Sequence, residues 1–526
     1  MPLSIKELVV VLFLGIAAFL AMRPYCARFI EAQDYSRRRN LWIALTSIAF
    51  LSPSFWIFSA LAFPLLILFM QQERNPAALY VLLYYLIPSY NLPIPLPGFN
   101  NLFDLSYHRL IAFAILVPAA YRIYLARPPE RGIGLRIADS LIILYIVLQV
   151  AVMVPHESIT SLMRRTLLLG LDTFLLYYVF SRTPLDRRIF REVLVCVALS
   201  AVLLAPMAVF ESLRAWLLYS NLGYQWGTPD IFGYLVRDGR LRAQVSTGHA
   251  LYLGYLMVFA MAVALYLRHH ILKRWWSHAV LLVLGAGLLA SLSRGPMVAA
   301  VLMVFVLMAM GPRGGATVAK FTAGFAVVFG LVLVSPMGDK VIDFLPFVGS
   351  INAESVDYRT QLLDTALMLI PQNLMFGDPF VLSQMEHLRQ GQGIIDLVNG
   401  YILVALYFGM VGLTLFVGLM VAAIVMAARA WWAARSIDLD LSLIGASLLA
   451  CMLGTLLYIF TTGFYPIHYI LIGLMLSYPR LRAVSAVRES VASEPEQAVA
   501  VRRPYAMPPL PERQAGGGRA SARRTT

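Results

Sequence analysis

The stretch Arg187-Arg188-Ile-Phe-Arg191-Glu192-Val193-Leu-Val-Cys-Val-Ala-Leu-Ser-Ala-Val-Leu-Leu-Ala-Pro-Met-Ala-Val-Phe210 decides the class of this chain. A charged start gives way to Val193–Phe210, in which no residue is charged. A helix of about 17–25 apolar residues crosses the hydrocarbon layer of a bilayer. The pattern recurs along the chain, near 4–22, 41–70, 76–91, 106–124, 136–154, 163–181, 188–210, 249–267, 276–291, 296–311, 319–335, 397–428, 440–461 and 465–478. Composition agrees. Hydrophobic residues make up 60%, charged residues 13%, and mean hydropathy is +0.74. A soluble chain carries about 25% charged residues. So little charge cannot coat several soluble globules, although 526 residues would suffice for them. It also excludes a disordered or nucleic-acid-binding chain, despite the net charge of +14. The expected fold is all-α: a polytopic transmembrane helical bundle of about 14–15 segments.

Charge orients the segments. The connectors Arg23–Asn40, Arg127–Arg136, Arg182–Glu192, Arg268–Trp276, Gly311–Lys320 and Arg429–Ser436, with the tail after Arg480, are rich in Arg or Lys and should be cytoplasmic. Leu92–Tyr107, Pro155–Leu162, Glu211–Thr247, Pro336–Leu397 and Thr461–Tyr465 should face outward. The alternation requires 41–70 to turn back at Pro53 as a short hairpin; the rival is one long tilted helix. Residues 1–479 form the expected membrane domain, with outward loops 211–247 and 336–397. Residues 480–526, with nine Arg and four Glu among Ala, Pro, Ser and Gly, read as a disordered basic cytoplasmic tail drawn to anionic lipid. The first run is followed by Arg23-Pro24 rather than a small-residue cleavage site, so it reads as a retained anchor. Cys26, Cys196 and Cys451 are too scattered for disulfides, iron–sulfur clusters or zinc. No internal repeat is evident, so the inverted-repeat plan of many transporters gains no support.

The two long outward loops are the natural place for function. In the second, apolar positions 362, 363, 366, 367 and 370 fall on one helical face, with Asp357 available as N-cap. That predicts an amphipathic helix on the membrane surface or over a cavity. Arginines crowd the outward side: Arg164, Arg165, Arg214, Arg237, Arg240, Arg242, Arg294, Arg359 and Arg389. Arg294 sits between two apolar segments in Ser293-Arg294-Gly295-Pro296, with no loop to carry it into water. A charge at that depth costs about 2.5–3.5 kcal/mol on insertion scales, so it usually faces a cavity or partner. The guanidinium fork suits pyrophosphate. For Arg237 and Arg389, snorkelling to headgroups is the simpler reading. Asp438-Leu439-Asp440 mimics a metal-binding DxD, but its place before a span makes it a helix cap. His269-His270 read as solvated, without a carboxylate partner, and Asp172 as the partner of a buried arginine. P-loop, GxSxG and HExxH motifs are absent from the sequence, which argues against ATP, serine or zinc hydrolysis.

In these residues the chain resembles the O-antigen ligase and Wzy-type polysaccharide polymerase superfamily of bacterial inner membranes. Arg240-Leu241-Arg242-Ala243 precedes Gly248-His249 at the start of a span, and Ser293-Arg294-Gly295 opens another. Asp357-Tyr358-Arg359 is followed by Pro371-Gln-Asn-Leu-Met-Phe-Gly377 in the long loop. Asn399-Gly400-Tyr401 closes that loop, and Gly409-Met410-Val411-Gly412-Leu413 lies in the next span. The likeness covers roughly 235–430. It implies a metal-independent, cofactor-free glycosyltransferase of the bacterial inner membrane, its active site facing the periplasm. The donor would be a glycan on undecaprenyl pyrophosphate and the acceptor a sugar hydroxyl, in capsule, exopolysaccharide or O-antigen synthesis, with membrane lipid and a chain-length co-polymerase as partners. By the same resemblance Arg294 and Arg359 hold the pyrophosphate, Arg240 and Arg242 bind the same group or the acceptor, and Tyr358 and Asn399 contact substrate. Many members place His before the closing Asn; here it is Val398, so a base must come from His387, Glu386, Asp378 or Asp396. That loss favours a polymerase over a lipid A ligase. A flippase for lipid-linked sugars is the alternative from another class.

Overall fold

Each of the apolar runs contains helix, although 76–91 is helical only through Tyr84. The computed structural model describes residues 4–481 apart from 95–102, 127–131, 183–185, 229–232, 238, 272, 312–313, 335–352, 390–394, 396 and 398. Helices α1 (Ile5–Cys26), α2 (Ala32–Leu51), α3 (Phe55–Gln71) and α4 (Pro76–Tyr84) come first. They are followed by α5 (Tyr107–Leu125), α6 (Ile133–Ala151) and α7, which runs from Ile159–Leu169 through a π turn into Leu176–Arg182. Then come α8 (Arg187–Arg214), α9 (Ser220–Gln225), α10 (Ala250–Leu267), α11 (Arg274–Ala290), α12 (Arg294–Ala309) and α13 (Gly314–Val334). The last are α14 (Ala353–Leu369), α15 (Gly400–Ala434), α16 (Leu439–Thr461) and α17 (467–481). Two-residue strands pair antiparallel as β1 (Leu92–Pro93) with β2 (Asp104–Leu105) and β3 (Val236–Arg237) with β4 (Arg240–Leu241).

Seven helices among the described residues are long and apolar enough to cross a membrane: α1, α5, α6, α8, α10 with the turn after it, α15 and α16. The chain is therefore an all-α, multi-pass bundle. Burial separates its centre from its rim. The apolar windows of α8 and α10 are 83% buried and that of α16 72%, against 33% for α6 and α15. Rim helices display residues such as Phe13 and Leu282, more than 70% exposed, as expected where the neighbour is lipid rather than water.

The break at Ser52-Pro53-Ser54 makes α2 and α3 a hairpin. Ser54 accepts a hydrogen bond from Ile57 N and caps α3, and the far ends of the two helices meet where Arg38 Nη2 binds Glu73 Oε1 at 2.7 Å. Burial alone would raise the Glu73 carboxyl; hydrogen bonds and charge from Arg38 hold it below its ordinary range. Similar pairs gather the basic connectors at one end of the bundle. Arg38 also reaches Glu192 (2.8 Å), Arg188 reaches Glu31 (2.7 Å), Arg187 pairs with Asp438, and Arg191 with Asp440. The opposite end is tied by Asn221 to Glu7 (2.6 Å) and by Trp226 Nε1 to Ser52 O (3.2 Å). Connectors that charge sorts into one group thus sit together.

Four expectations change. His270 is not solvated: its Nε2 lies 2.7 Å from Asp440 Oδ1. Residues 32–40 are the first turns of α2 rather than connector, because their arginines find acidic partners within the bundle. Asp357 lies inside α14, whose first residue is Ala353, so it is no N-cap. On that helix Leu362 and Ala366 are buried while Leu363 and Leu367 are exposed, so the apolar face is narrower than its spacing implied. Asp438, in contrast, caps α16 by accepting from Leu441 N at 3.0 Å, as its position foretold.

Candidate functional site

The loop 211–247 gives shape to the end of the bundle opposite the paired basic connectors. Val236–Arg237 and Arg240–Leu241 pair as a hairpin, with Gly239 at φ +72°, the left-handed turn conformation that glycine adopts freely. The hairpin docks on the turn between α11 and α12. Arg237 Nη1 donates to Leu292 O (2.7 Å), Arg242 Nη2 to Ser293 Oγ (3.1 Å), and Ala243 N to Ala290 O (3.1 Å). Arg294, the next residue, opens α12. Two arginine side chains therefore reach the turn that a third arginine follows in sequence. Burial, and then the charge of Arg237, push the Arg242 guanidinium down to about 10. It remains charged at neutral pH, and an arriving anion would relieve both penalties.

A carboxylate holds this scaffold from beneath. Glu211 is fully buried at the end of α8 and accepts three backbone N–H groups: Leu218 at 2.8 Å on Oε1, Gln244 at 2.9 Å and Val245 at 2.8 Å on Oε2. Among the described residues Ala215, Val245 and Leu292 are the non-glycines with positive φ, at 50°, 48° and 47°. All three lie in this scaffold. Such strain costs about 1–3 kcal/mol per residue and gathers where surrounding structure fixes a functional geometry.

Beside it lies a cavity of about 440 Å³. Its walls are aromatic and polar: Tyr84, Tyr252 and Tyr465 with Ser89, Asn91 and Thr247. Tyr252 stacks on Tyr465 with centroids 4.7 Å apart. His108 stacks on Tyr84 at 4.0 Å and places Nε2 3.0 Å from Tyr84 O, so Nε2 carries the proton and Nδ1 keeps its lone pair. His249 caps α10 through Nδ1, which accepts from Leu251 N at 3.2 Å. Arg109 Nη2 meets Asp172 Oδ2 at 2.7 Å across the cavity wall, the pairing expected for Asp172. Arg109 lies just before the π turn Ala112–Leu116 and Asp172 within the π turn Gly170–Leu175, irregularities that recur at functional sites. Two residues after Tyr252, Gly254 packs against Ser291 and Pro296, which brings the arginine turn against another face of the cavity helix.

The remaining residues singled out in the sequence divide. Asn399 caps α15, accepting from Tyr401 N (3.0 Å) and Ile402 N (3.2 Å). Gly400 packs on Ile459, and Gly295 on Thr461, so the ends of α15, α12 and α16 share one rim with Tyr465. Arg240 is exposed at the hairpin. The Arg359 side chain, Asp396 and Val398 lie outside the described residues. Tyr358 joins a separate apolar cluster with Leu362, Ala366 and Met385. His387 is exposed on the turn beyond it, Glu386 pairs with Arg389 (Nε to Oε2, 2.6 Å), and Asp378 accepts from Phe380 N (2.8 Å).

The segment Leu374–Asp378 inserts into α15. Asp378 N donates to Leu406 O (2.8 Å), Met410 N to Leu374 O (2.8 Å) and Val411 N to Met375 O (3.2 Å). Gly377 and Gly409 have φ +69° and +63°, and a Cβ on Gly409 would sit 2.3 Å from Met375 O. The two motifs that the sequence separates form one interlock.

Glu211, His108, Arg109 and the tyrosines escaped the sequence reading. His108-Arg109 offered a usable signal, since it repeats the logic of Arg294: a cation opening a span. Among the described residues no three His, Cys, Asp or Glu side chains converge as metal ligands. No protein-family model and no curated protein matches this chain.

Proposed function

We propose that this chain is an inner-membrane polysaccharide polymerase. It transfers glycan repeat units from undecaprenyl pyrophosphate to a sugar hydroxyl at the periplasmic face. One observation carries the reading: Arg237 and Arg242 reach the turn Leu292-Ser293 that leads into Arg294, and that turn packs on α10, the helix whose Tyr252 walls the cavity. Fixed cations stabilise charge where it develops, and tyrosine faces with hydroxyl and amide groups suit a sugar. The acceptor oxygen attacks the anomeric carbon, the bond from that carbon to the pyrophosphate oxygen breaks, and the pyrophosphate leaves with the electron pair toward Arg242 and Arg294. The acceptor proton passes to His108 Nδ1, which fills the role that Val398 cannot.

The test uses purified protein in detergent with lipid-linked repeats. Polymer should lengthen without a second compartment; a flippase would leave repeats unextended. Arg294→Ala and Arg242→Ala should each lower the rate about 10²-fold, the scale of one lost oxyanion donor. Arg294→Lys should recover little, because a point charge replaces a fork. His108→Gln should lower the rate by about 10²-fold or more while donor binding persists. Full activity of Arg294→Ala would remove the arginine turn from the mechanism.

A further inference from the structure

The segment that enters the α15 break carries apolar side chains that the rest of the protein leaves uncovered. Leu367, Met368, Leu374, Met375, Phe376 and Phe380 are each 49–72% exposed. No charged residue occurs from Thr365 to Gly377. A water-facing loop seldom displays so dense an apolar patch, and such patches mark contact surfaces.

Neighbouring helices fix the depth of this patch. α6 and α15 run antiparallel in contact: Gly134 packs on Met426, Leu141 on Gly418, and Leu148 on Gly412. The same register carries Ala151, the end of α6, to the level of Gly409. α6 has 19 residues, about 28 Å at about 1.5 Å per residue, which matches one apolar layer of about 30 Å. α15 gives the same level independently. Trp431 and Trp432 stand between Arg429 and Arg435 at the basic end, and such side chains settle at a membrane interface. About 20 residues earlier, one apolar layer away, lies Val411. The rung at 406–411, to which the patch is bonded, therefore sits at the far edge of the apolar layer. Phe380 meets His156, in the turn after α6, edge to face at 5.2 Å. The patch thus continues the rim of α6, where Ile143, Leu144 and Val147 are exposed.

Backbone chemistry fits that depth. Irregular chain is tolerated in an apolar layer only where its N–H and C=O groups find partners. The break in α15 supplies them: Leu374 O and Met375 O accept from Met410 and Val411, Asp378 N donates to Leu406 O, and Gly377 N donates to Asn373 O at 2.8 Å. The side chains can meet lipid without stranding these backbone groups.

We infer that Leu367–Phe380 is a membrane-dipping element whose apolar side chains seat at the headgroup–acyl boundary of the leaflet on the side of the candidate site. Its partner is lipid. Asp364 and Asp378 bracket the uncharged run and keep its two ends at the water side. The element holds this place whatever reaction the site performs.

The full chain in nanodiscs of phosphatidylethanolamine and phosphatidylglycerol tests this, since both faces of a disc meet solution. Met375→Cys, Phe376→Cys and Phe380→Cys would each carry a nitroxide, with the native cysteines buried. Leu144→Cys sets the scale of full lipid contact and Gln384→Cys that of water. Collisions of each nitroxide with oxygen, which concentrates in hydrocarbon, are compared with those of a water-soluble nickel chelate. At the three patch sites the oxygen-to-nickel ratio should exceed that at Gln384→Cys about tenfold or more, because a polar complex is excluded from an apolar medium. Three sites are read so that one poorly tolerated substitution does not decide the result. A ratio that stays at the Gln384→Cys level puts the patch in water and overturns the assignment. Few collisions with either reagent would mean that protein, a second copy of this chain or another partner, covers the patch, and would overturn it as well.

Discussion

Glu211 shows how one side chain can set a site without touching what the site binds. Its two oxygens receive three backbone N–H groups, one from Leu218 and two from Gln244 and Val245, in the segment between Arg242 and His249. Glu211→Gln substitutes an amide N–H for one acceptor, so at least one buried backbone N–H loses its partner, at about 1–3 kcal/mol. The variant should unfold at lower temperature in detergent and lose transfer activity even though the arginines remain. Wild-type thermal stability in Glu211→Gln would show that the carboxylate is dispensable as an anchor. Arg389, exposed and bridged to its neighbour Glu386, is the useful contrast. Surface pairs of this kind contribute about 0–1 kcal/mol, and Arg389→Ala should change neither stability nor rate measurably.

At the scale of elements, hydropathy located the helices because the signal is local: each apolar run reports its own environment. The hairpin break at Pro53 and the cap at Asp438 were legible for the same reason. What escaped depends on partners distant in sequence. Nothing near Gly409 states that α15 is interrupted, since the groups that make the break tolerable come from Leu374–Asp378. Nothing near Glu211 states that an acid is buried, since its donors lie up to 34 residues away. The arginines at 242 and 294 were legible individually, and the docking of Arg242 on the turn before Arg294 was not. The interlock invites a test at this scale. Gly377→Ala places a Cβ 2.5 Å from Leu406 O at φ +69°, so both strain and overlap oppose it. Limited proteolysis should then cleave within 371–389 far faster than in wild type while the membrane core stays intact. Unchanged cleavage would mean that the insertion contributes little.

For the whole molecule, the informative property is that ion pairs collect the basic connectors at one end and the candidate site at the other. Cys26, Cys196 and Cys451 are all buried, so single introduced cysteines can be read against a low background. Gly132 has open space where a Cβ would go, and Gln384 is exposed. Gln384→Cys should react with an impermeant maleimide added to intact cells, and Gly132→Cys only after the membrane is permeabilised. Labelling of Gly132→Cys from outside would invert the orientation assigned from charge.

The interlock also constrains biogenesis. Segment 371–378 leaves the ribosome before the helix it enters, and its backbone partners at 406–411 do not yet exist at that moment. Until they arrive, the loop has no anchor in α15. Without the insertion, the 35 residues of α15 could zip into a continuous rod about 52 Å long at about 1.5 Å per residue, well beyond an apolar layer of about 30 Å. The loop therefore works as a wedge that must be seated before the rod closes. Maturation becomes a race between docking and helix propagation, one that two glycines are placed to decide.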